Sequence, residues 1–360
     1  MRKVEVLAMK WILHTQFPEY LKDAWNTLLE EAITNVPFLR YEYLAAWWET
    51  RGGGEWPRAQ LALVTAHEQE RLIGVAPLFF VPEPQGRPTL LFLGSVEISD
   101  YLDFIVRPAD LERFVDGLWV FLTQELPFEW QALDLYNLIE TSPTLSVLNT
   151  WSPQHHLTLQ VERLQPSPYI PLPGDWEAYL ASLDKKQRHE IRRKLRRAEG
   201  HTSMVCWYCA GENVEAEVEA FLDLMAQDED KAAFLTPVMR QTLRRIALAA
   251  AAHGYLQLAF LEIGKEKAAA YFNFDYHGRV YVYNTGFNRR FNDLSPGWVL
   301  LSYLLQWANQ NGRKEFDFMR GDEAYKYRFG AINRYVVRVT LLRQPASASA
   351  LGAASTSVQE

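Results

Sequence analysis

The residues that most directly suggest chemistry are Ser295, Pro296 and Gly297, which predict the start of a helix. A serine oxygen can cap free amides there, and a proline is tolerated where its missing N–H is not needed. Free amides and the positive end of the helix dipole favour phosphate, and Arg289 and Arg290 bring positive charge from the preceding loop. This pattern predicts a site for a phosphate-bearing cofactor. The alternative is that the three residues only cap the helix.

The elements that would position this site are predicted as strand, helix and strand. Residues 280–284 alternate Val and Tyr, which is the period of a strand with two different faces. The helix carries an apolar stripe from Leu300 to Ala308 and ends at Asn311 and Gly312, which tolerate a left-handed conformation. Residues 314–319 form the second strand. Such a unit is a crossover between two parallel strands.

A set of residues distributed over 283–330 has a recognisable spacing. The set comprises Tyr283, Gly286, Ser295, Pro296, Gly297, Gly312, Asp317, Phe318, Arg320, Gly321, Tyr325, Lys326 and Gly330. It resembles the C-terminal signature of the CelD-like acetyltransferases, a branch of the GNAT superfamily that is related to the FemAB-like peptidyltransferases. The resemblance extends upstream to residues 185–200 and, more weakly, to residues 38–103, and therefore covers most of the chain.

The fold that this resemblance implies is α/β (α+β), with two tandem GNAT-like domains. Each domain would be a mixed, mostly antiparallel sheet flanked by helices. The proline-rich stretch at 163–175 disfavours helix and favours an extended linker. We therefore predict an N-terminal GNAT-like domain at 1–165 and a C-terminal GNAT acetyltransferase domain at 166–343. The Ala- and Ser-rich tail at 344–360 is predicted to be disordered.

The activity that the resemblance implies is transfer of an acyl group from acetyl-CoA, or another acyl-CoA, to an amine or hydroxyl. The acceptor that it suggests is a polysaccharide or a cell-envelope precursor. Tyr325 occupies the position of a tyrosine acid that protonates the leaving thiolate, and Glu323 or Asp317 is the candidate base. Arg320 and Lys326 are candidate substrate-binding residues. The family's usual phosphate loop is replaced by a different sequence here, so the end of an aminoacyl-tRNA, as in Fem-type transferases, is an alternative donor.

The most uneven charge distribution lies in the predicted helix at 185–200. Between Asp184 and Glu199, eight Lys or Arg residues face three acidic residues, a net charge of +5 in a chain of net charge −7. Arg192, Arg193 and Arg196 are therefore candidates for binding phosphates, an anionic glycan or tRNA. The alternative is a solvated helix face. If the chain has no catalytic activity, this helix would make it a binding module for an anionic glycan or a nucleotide.

Composition limits the remaining possibilities. The 360 residues suffice for two domains, and the negative net charge disfavours wholesale nucleic-acid binding. No apolar run reaches the length of a membrane span, and the N-terminus lacks a signal-peptide core, so we expect a cytoplasmic protein. Cys206 and Cys209 form a lone pair without further ligands, so no metal site is predicted. Asp100 and Asp103 either line a cleft or stabilise a turn.

Overall fold

We analysed a computed structural model of the chain, which describes residues 9–155, 157–201 and 205–343. The tail at 344–360, predicted to be disordered, lies outside the described residues. The chain alternates short strands and helices throughout its length.

Sixteen strands are present in the described residues. They are β1 (Lys10–His14), β2 (Gln60–Leu61), β3 (Leu63–Glu68), β4 (Arg71–Ala76), β5 (Leu78–Val81), β6 (Thr89–Phe92), β7 (Ile105–Val106), β8 (Ala132–Ile139), β9 (Thr158–Pro166), β10 (Tyr169–Pro171), β11 (Val205–Cys209), β12 (Leu256–Ile263), β13 (Glu266–Tyr276), β14 (Arg279–Phe287), β15 (Glu315–Asp317) and β16 (Tyr335–Leu342).

Eleven α-helices are present in the same part of the chain. They are α1 (Lys22–Glu30), α2 (Tyr41–Glu49), α3 (Leu111–Gln124), α4 (Pro143–Trp151), α5 (Trp176–Ser182), α6 (Lys185–His201), α7 (Val214–Met225), α8 (Glu229–Phe234), α9 (Pro237–Ala252), α10 (Pro296–Gln310) and α11 (Ala324–Arg328).

The first half of the chain forms two sheets. One has the order β1-β3-β4-β7, and the other contains β2, β5, β6 and β8. The break between β4 and β5 falls at Pro77, which has no N–H to donate to a strand ladder. The segment from β3 to β5 therefore passes from one sheet into the other.

The second half forms one six-stranded sheet with the order β10-β15-β14-β13-β12-β11. Its neighbouring strands are antiparallel except β14 and β15, which are parallel and are joined through α10. The predicted crossover unit is thus confirmed, and so is the helix predicted at 185–200, which is α6. The proline-rich stretch is extended, as expected, in β9 and β10.

The last strand of the chain returns to the first half. β16 pairs antiparallel with both β8 and β9, so the order of the larger first-half sheet is β2-β5-β6-β8-β16-β9. A segment that falls in the predicted C-terminal domain therefore forms a strand of the first-half sheet. The domain boundary at 165/166 stays a prediction, but the chain crosses between the two halves twice.

Both faces of the second sheet are buried, in two different cores. Along β12, Leu258 and Phe260 pack into the core shared with the first half, whereas Ala259 and Leu261 pack into a core with α5, α6 and α10. Side chains alternate across a strand, so β12, β13 and β14 each supply both cores. The sheet is consequently held between the first half on one side and the helices on the other.

A buried polar network joins the two halves beside β15. Asp317 is fully buried and its Oδ1 accepts hydrogen bonds from the hydroxyl of Tyr101 (2.9 Å) and the amide of Met319 (2.8 Å). Arg334 donates to the other carboxylate oxygen at 3.3 Å. Burial raises the pKa of Asp317 to about 6, although Arg334 opposes this shift.

A second buried carboxylate, Asp103, holds the loop that contains Tyr101. It accepts hydrogen bonds from the hydroxyls of Thr34 (2.8 Å), Ser142 (2.6 Å) and Thr144 (2.6 Å) and from the amide of Phe104. Burial raises its pKa. The turn interpretation of this acidic segment therefore describes Asp103 better than the cleft interpretation.

Asp317→Asn should change how stability depends on pH. Between pH 3.8 and about 6 the folded protein keeps a proton on Asp317 that the unfolded chain releases, so this group's contribution to the free energy of unfolding falls as pH rises. A shift of this size corresponds to about 3 kcal/mol. Urea unfolding of both proteins from pH 4 to 8 should show their difference changing up to about pH 6 and constant above it. Asp223→Asn, at an exposed aspartate, is the control and should give no such change.

Candidate active site

The cavity of main interest, about 440 Å³ in volume, opens where α10 begins. It is lined by Lys194, Lys231, Tyr271, Thr285, Phe287, Asn292, Ser295, Pro296, Gly297, Trp298, Leu301, Glu323, Tyr325 and Phe329. Four of the residues predicted from the sequence, Ser295, Gly297, Glu323 and Tyr325, therefore line one cavity.

The first turn of α10 presents amides that no side chain caps. Ser295 adopts a left-handed conformation (φ 53°, ψ 56°) and its side chain accepts no hydrogen bond from the helix. The prediction that the serine oxygen caps α10 is therefore wrong, because a capping side chain needs the extended backbone that Ser295 does not have. Uncapped amides at a helix N-terminus favour a bound anion. The missing cap therefore leaves amides at the cavity that are available to an anion.

Gly297 is required by the packing of the cavity wall. A Cβ atom on this residue would lie 2.5 Å from the ring of Phe287, closer than side-chain contacts allow. Its carbonyl accepts a hydrogen bond from the hydroxyl of Tyr271 at 3.2 Å. The absent side chain thus lets β14 and the start of α10 approach each other.

The cavity exists because β14 continues after its partner has ended. The parallel pairing covers Arg279 to Tyr281 opposite Glu315 to Asp317, and β14 then runs on to Phe287 without a partner on that side. A bulge interrupts the pairing of β14 with β13 at Tyr283, where Val282 and Asn284 pair with consecutive residues. A bulge bends a strand and re-aims its side chains. The free part of β14 is therefore a strand edge that faces the cavity.

The loop that follows β15 is held in shape by Lys326. Only 2% of this residue is exposed, and its ammonium donates to the carbonyls of Met319 (3.3 Å), Arg320 (3.1 Å) and Gly321 (3.1 Å). It also pairs with Glu323 at 2.8 Å. Lys326 thereby positions Glu323 at the cavity. The described contacts of the Lys326 ammonium are all with residues of this loop.

Tyr325 is the tyrosine of the cavity that lies beside Glu323. Burial raises its pKa, and the neighbouring charge of Glu323 adds to the effect. Its hydroxyl therefore keeps its proton near neutral pH. A protonated hydroxyl and a carboxylate thus line the same cavity, one able to donate a proton and the other to accept one.

Two lysines of the cavity were not among the predicted site residues. Lys231 on α8 donates to Asn284 Oδ1 (3.0 Å) and to the carbonyl (2.7 Å) and hydroxyl (3.0 Å) of Thr285, and burial lowers its pKa. Lys194 on α6 lies 4.0 Å from the ring centre of Trp298, and burial lowers its pKa as well. Lys194 belongs to the basic helix predicted from the sequence, whereas no local sequence pattern marks Lys231 as a cavity residue.

The predicted arginines lie outside the cavity lining. Arg290 pairs with Glu266 (2.8 Å), and Arg289 lies 3.9 Å from Glu229. On α6, Arg192 pairs with Glu177 (2.6 Å) and Arg193 with Glu190 (2.8 Å), while Arg196 donates to a carbonyl of its own helix. All five are exposed.

Arg320 connects the loop after β15 to the first half of the chain. Its guanidinium pairs with Asp100 and donates to the carbonyls of Val96 (2.9 Å) and Glu97 (2.8 Å) and to Asn137 Oδ1 (3.2 Å). Asp317 is buried in the network described above and lines none of the cavities. Arg320 and Asp317 thus both lie in the seam, the region where the first and second halves of the chain are in contact.

A second cavity of about 280 Å³ adjoins the first. Its lining includes Asp100 and Arg320 from the seam together with Tyr283 and Asn284, the residues of β14 just before Thr285. α8 supplies Phe234 to this second cavity and Lys231 to the first. The two cavities therefore follow each other along the unpaired part of β14.

Other expectations can be compared with the described residues. Within 9–155, 157–201 and 205–343, no three potential metal-ligating side chains cluster, and both cysteines are free and exposed. None of the helices in these ranges combines the length and apolar character needed to cross a membrane.

Comparison with known proteins identifies the second half of the chain. Residues 185–327 match the family model described as "Acetyltransferase (GNAT) domain". These residues contain α6, β14, α10 and the loop with Glu323 and Tyr325. No curated protein sequence matches the chain.

Solved structures share the fold over nearly the full length. FemX has a TM-score of 0.65 at 11% identity, covering 92% of this chain and 96% of its own. A conserved protein of unknown function from Bacteroides thetaiotaomicron has a TM-score of 0.61 at 11% identity, covering 93% of this chain and 100% of its own. The L-PGS structure from Bacillus licheniformis gives 0.50 at 12% identity, over 77% and 82%. The chain thus has the predicted mixed α/β fold, which these structures share, and the matched acetyltransferase region lies in its second half.

Proposed function

We propose that this protein transfers an acyl group from an acyl-CoA thioester, with acetyl-CoA as the first candidate, to an amine or hydroxyl of an acceptor. The observation that carries the proposal is the cavity between the unpaired part of β14 and the loop after β15, closed by the uncapped start of α10. A polysaccharide or cell-envelope precursor is the acceptor class that we propose, in the cytoplasm.

The donor fits the residues of the first cavity. Free amides of α10 and the nearby Lys194 suit phosphate groups. The unpaired edge of β14 offers backbone groups to an extended amide-containing arm, apart from those of Thr285, whose carbonyl and amide are bonded to Lys231 and Asn284. Gly297 leaves the backbone close to the cavity. We assign phosphate binding to these groups rather than to Arg289 and Arg290, which are paired with carboxylates at the surface.

The reaction needs only positioning and two proton transfers. The acceptor nitrogen or oxygen forms a bond to the acyl carbon, and the carbon–sulfur bond breaks. We assign Glu323 as the base that takes the acceptor's proton and Tyr325 as the acid that gives its proton to the thiolate. Glu323 suits this role better than Asp317, because Asp317 lines neither cavity. Lys326 and Arg320 shape the loop, and the acceptor enters through the second cavity.

The exposed basic face of α6 favours a second candidate, a Fem-type transferase that uses aminoacyl-tRNA. Lys194, on the same helix, lines the donor cavity, so a polyanion bound to Arg192, Arg193 and Arg196 would lie beside that cavity.

Calorimetric titration with CoA, acetyl-CoA and uncharged tRNA separates the candidates. Micromolar binding of a CoA species supports the acyl-CoA proposal. Salt-sensitive binding of tRNA alone supports the Fem-type candidate, and no binding of any of the three points to a non-catalytic module.

Tyr325→Phe should reduce turnover by about a hundredfold or more while leaving the Kd for CoA unchanged, because it removes only the proton that the thiolate needs. The rate is measured as release of free thiol from acetyl-CoA in the presence of an acceptor that supports turnover. Tyr327→Phe is the matched control, since Tyr327 bonds to Asn333 (2.9 Å) outside the cavity. Equal rates for the wild type and Tyr325→Phe would remove Tyr325 from the mechanism.

Lys194→Met should weaken CoA binding by about tenfold, because a charge-assisted contact to phosphate is lost. Arg193→Met removes the neighbouring charge of the same helix and should have little effect, since Arg193 is paired with Glu190 outside the cavity. Calorimetry at two salt concentrations measures both constants. A larger loss in Arg193→Met than in Lys194→Met would instead place the phosphates on the exposed face of α6.

A further inference from the structure

A third cavity lies between the two halves, at the other end of the β14–β15 pair. Its volume is about 680 Å³, and its walls include Asn35 and Thr141 from the first half and Arg279, Asn333 and Arg334 from the second. Arg279 is the first residue of β14, six residues before Thr285, which corresponds to about 20 Å along a strand. A ligand here would not touch the proposed donor cavity.

The polar groups of this cavity are mostly hydrogen-bond donors. Asn35 Oδ1 accepts from the hydroxyl of Tyr276 (2.8 Å), which leaves the NH₂ group of Asn35 as a donor. Asn333 lies 2.9 Å from the Tyr327 hydroxyl, whose single proton the Asp322 carboxylate also accepts. The guanidinium groups of Arg279 and Arg334 can only donate. A lining with this excess of donors suits a ligand rich in acceptor oxygens.

The acidic groups around the cavity, among them Glu140 of its lining, already have basic partners. Glu140 pairs with Arg163 (2.8 Å) and Glu30 with His277 (2.8 Å), while Glu315 pairs with Arg334. Arg279, in contrast, is half-buried and forms no ion pair within 4 Å among the residues that the structure describes; the carboxylate whose charge acts on it from a greater distance is Glu315, which pairs with Arg334. A partly buried cation without a counter-ion is costly, and a bound anion would remove that cost.

Arg334 is held in a fixed orientation beside Arg279. Its guanidinium lies 3.8 Å from the ring centre of Tyr169 and 5.5 Å from that of Tyr101, and it donates to Asp317. A guanidinium fixed in this way loses little conformational freedom when it binds a planar or tetrahedral oxyanion.

We propose that this cavity is a second binding site, separate from the donor cavity, for an oxyanion ligand such as a phosphate ester or a polycarboxylate. Arg279 supplies a positive charge that has no ion pair, Arg334 supplies a guanidinium held in place by Glu315 and Asp317, and the amide of Asn35 supplies a further donor. Because both halves of the chain form the walls, the ligand would bridge them.

The test is calorimetric titration of the full chain with inorganic pyrophosphate and, separately, with citrate, repeated in an excess of CoA. Wild-type protein should bind one of the two probes, and the binding should persist with CoA present. Arg279→Gln should weaken that binding by at least about tenfold. Arg279→Lys, which keeps the charge but loses the bidentate donors of the guanidinium, should weaken it by less. Arg58→Gln, which removes an exposed arginine elsewhere, is the control and should bind as the wild type does.

The choice of probe identifies the source of the oxyanion, since pyrophosphate represents phosphate esters and citrate represents polycarboxylates. Thermal unfolding of each variant verifies that it is folded. Binding that is unchanged in Arg279→Gln, or that disappears when CoA is added, would mean that the anion occupies another site and would overturn the proposal. Absence of binding of both probes to the wild type would overturn it as well.

Discussion

The structure depends on a parallel strand pair that is only three residues long. β14 and β15 pair from Arg279 to Tyr281 and then separate, because β15 ends at Asp317 while β14 continues to Phe287. Unpaired backbone groups need partners, and a strand edge inside a protein is therefore either covered or used. Here the edge borders two adjoining cavities, and the start of α10 closes one of them. The separation of the two strands thus creates the space on which the proposed activity rests.

One buried and two partly buried cations bind the backbone around this separation. Lys326 gathers three consecutive carbonyls of the loop after β15, Arg320 ties the same loop to the first half, and Lys231 holds the carbonyl of Thr285 on β14. Each of these cations exchanges water for hydrogen bonds to backbone carbonyls. These carbonyls have no partner in a regular strand pairing, so the cations satisfy them. Residues that a sequence suggests as ligand-binding cations thereby acquire a structural task, and the cations that reach the cavity are Lys194 and Lys231.

Sequence reasoning succeeded where the signal is local. The start and end of α10, the extent of α6 and the crossover between β14 and β15 follow from turn residues and apolar periodicity, and the resemblance placed Glu323 and Tyr325 in a segment that lines the cavity. It failed at Ser295, because a left-handed backbone conformation in a serine leaves no pattern in neighbouring residues. Clustered arginines suggested binding, yet each of Arg192 and Arg193 finds a carboxylate nearby, and charge count alone does not show this pairing.

The sequence by itself determined the crossover unit of β14, α10 and β15 and the helix terminus that faces the cavity, since these depend on short-range sterics, turn residues and periodicity. The mixed α/β class was implied by the resemblance. Only the tertiary structure decided which polar groups meet. Asp317 finds Tyr101, which is 216 residues away, and β16 returns to complete a sheet of the first half. That Arg279 forms no ion pair within 4 Å among the described residues likewise appears only when the carboxylates around it are seen to be paired with others. Such pairings depend on distances in space, and sequence separation carries little information about them.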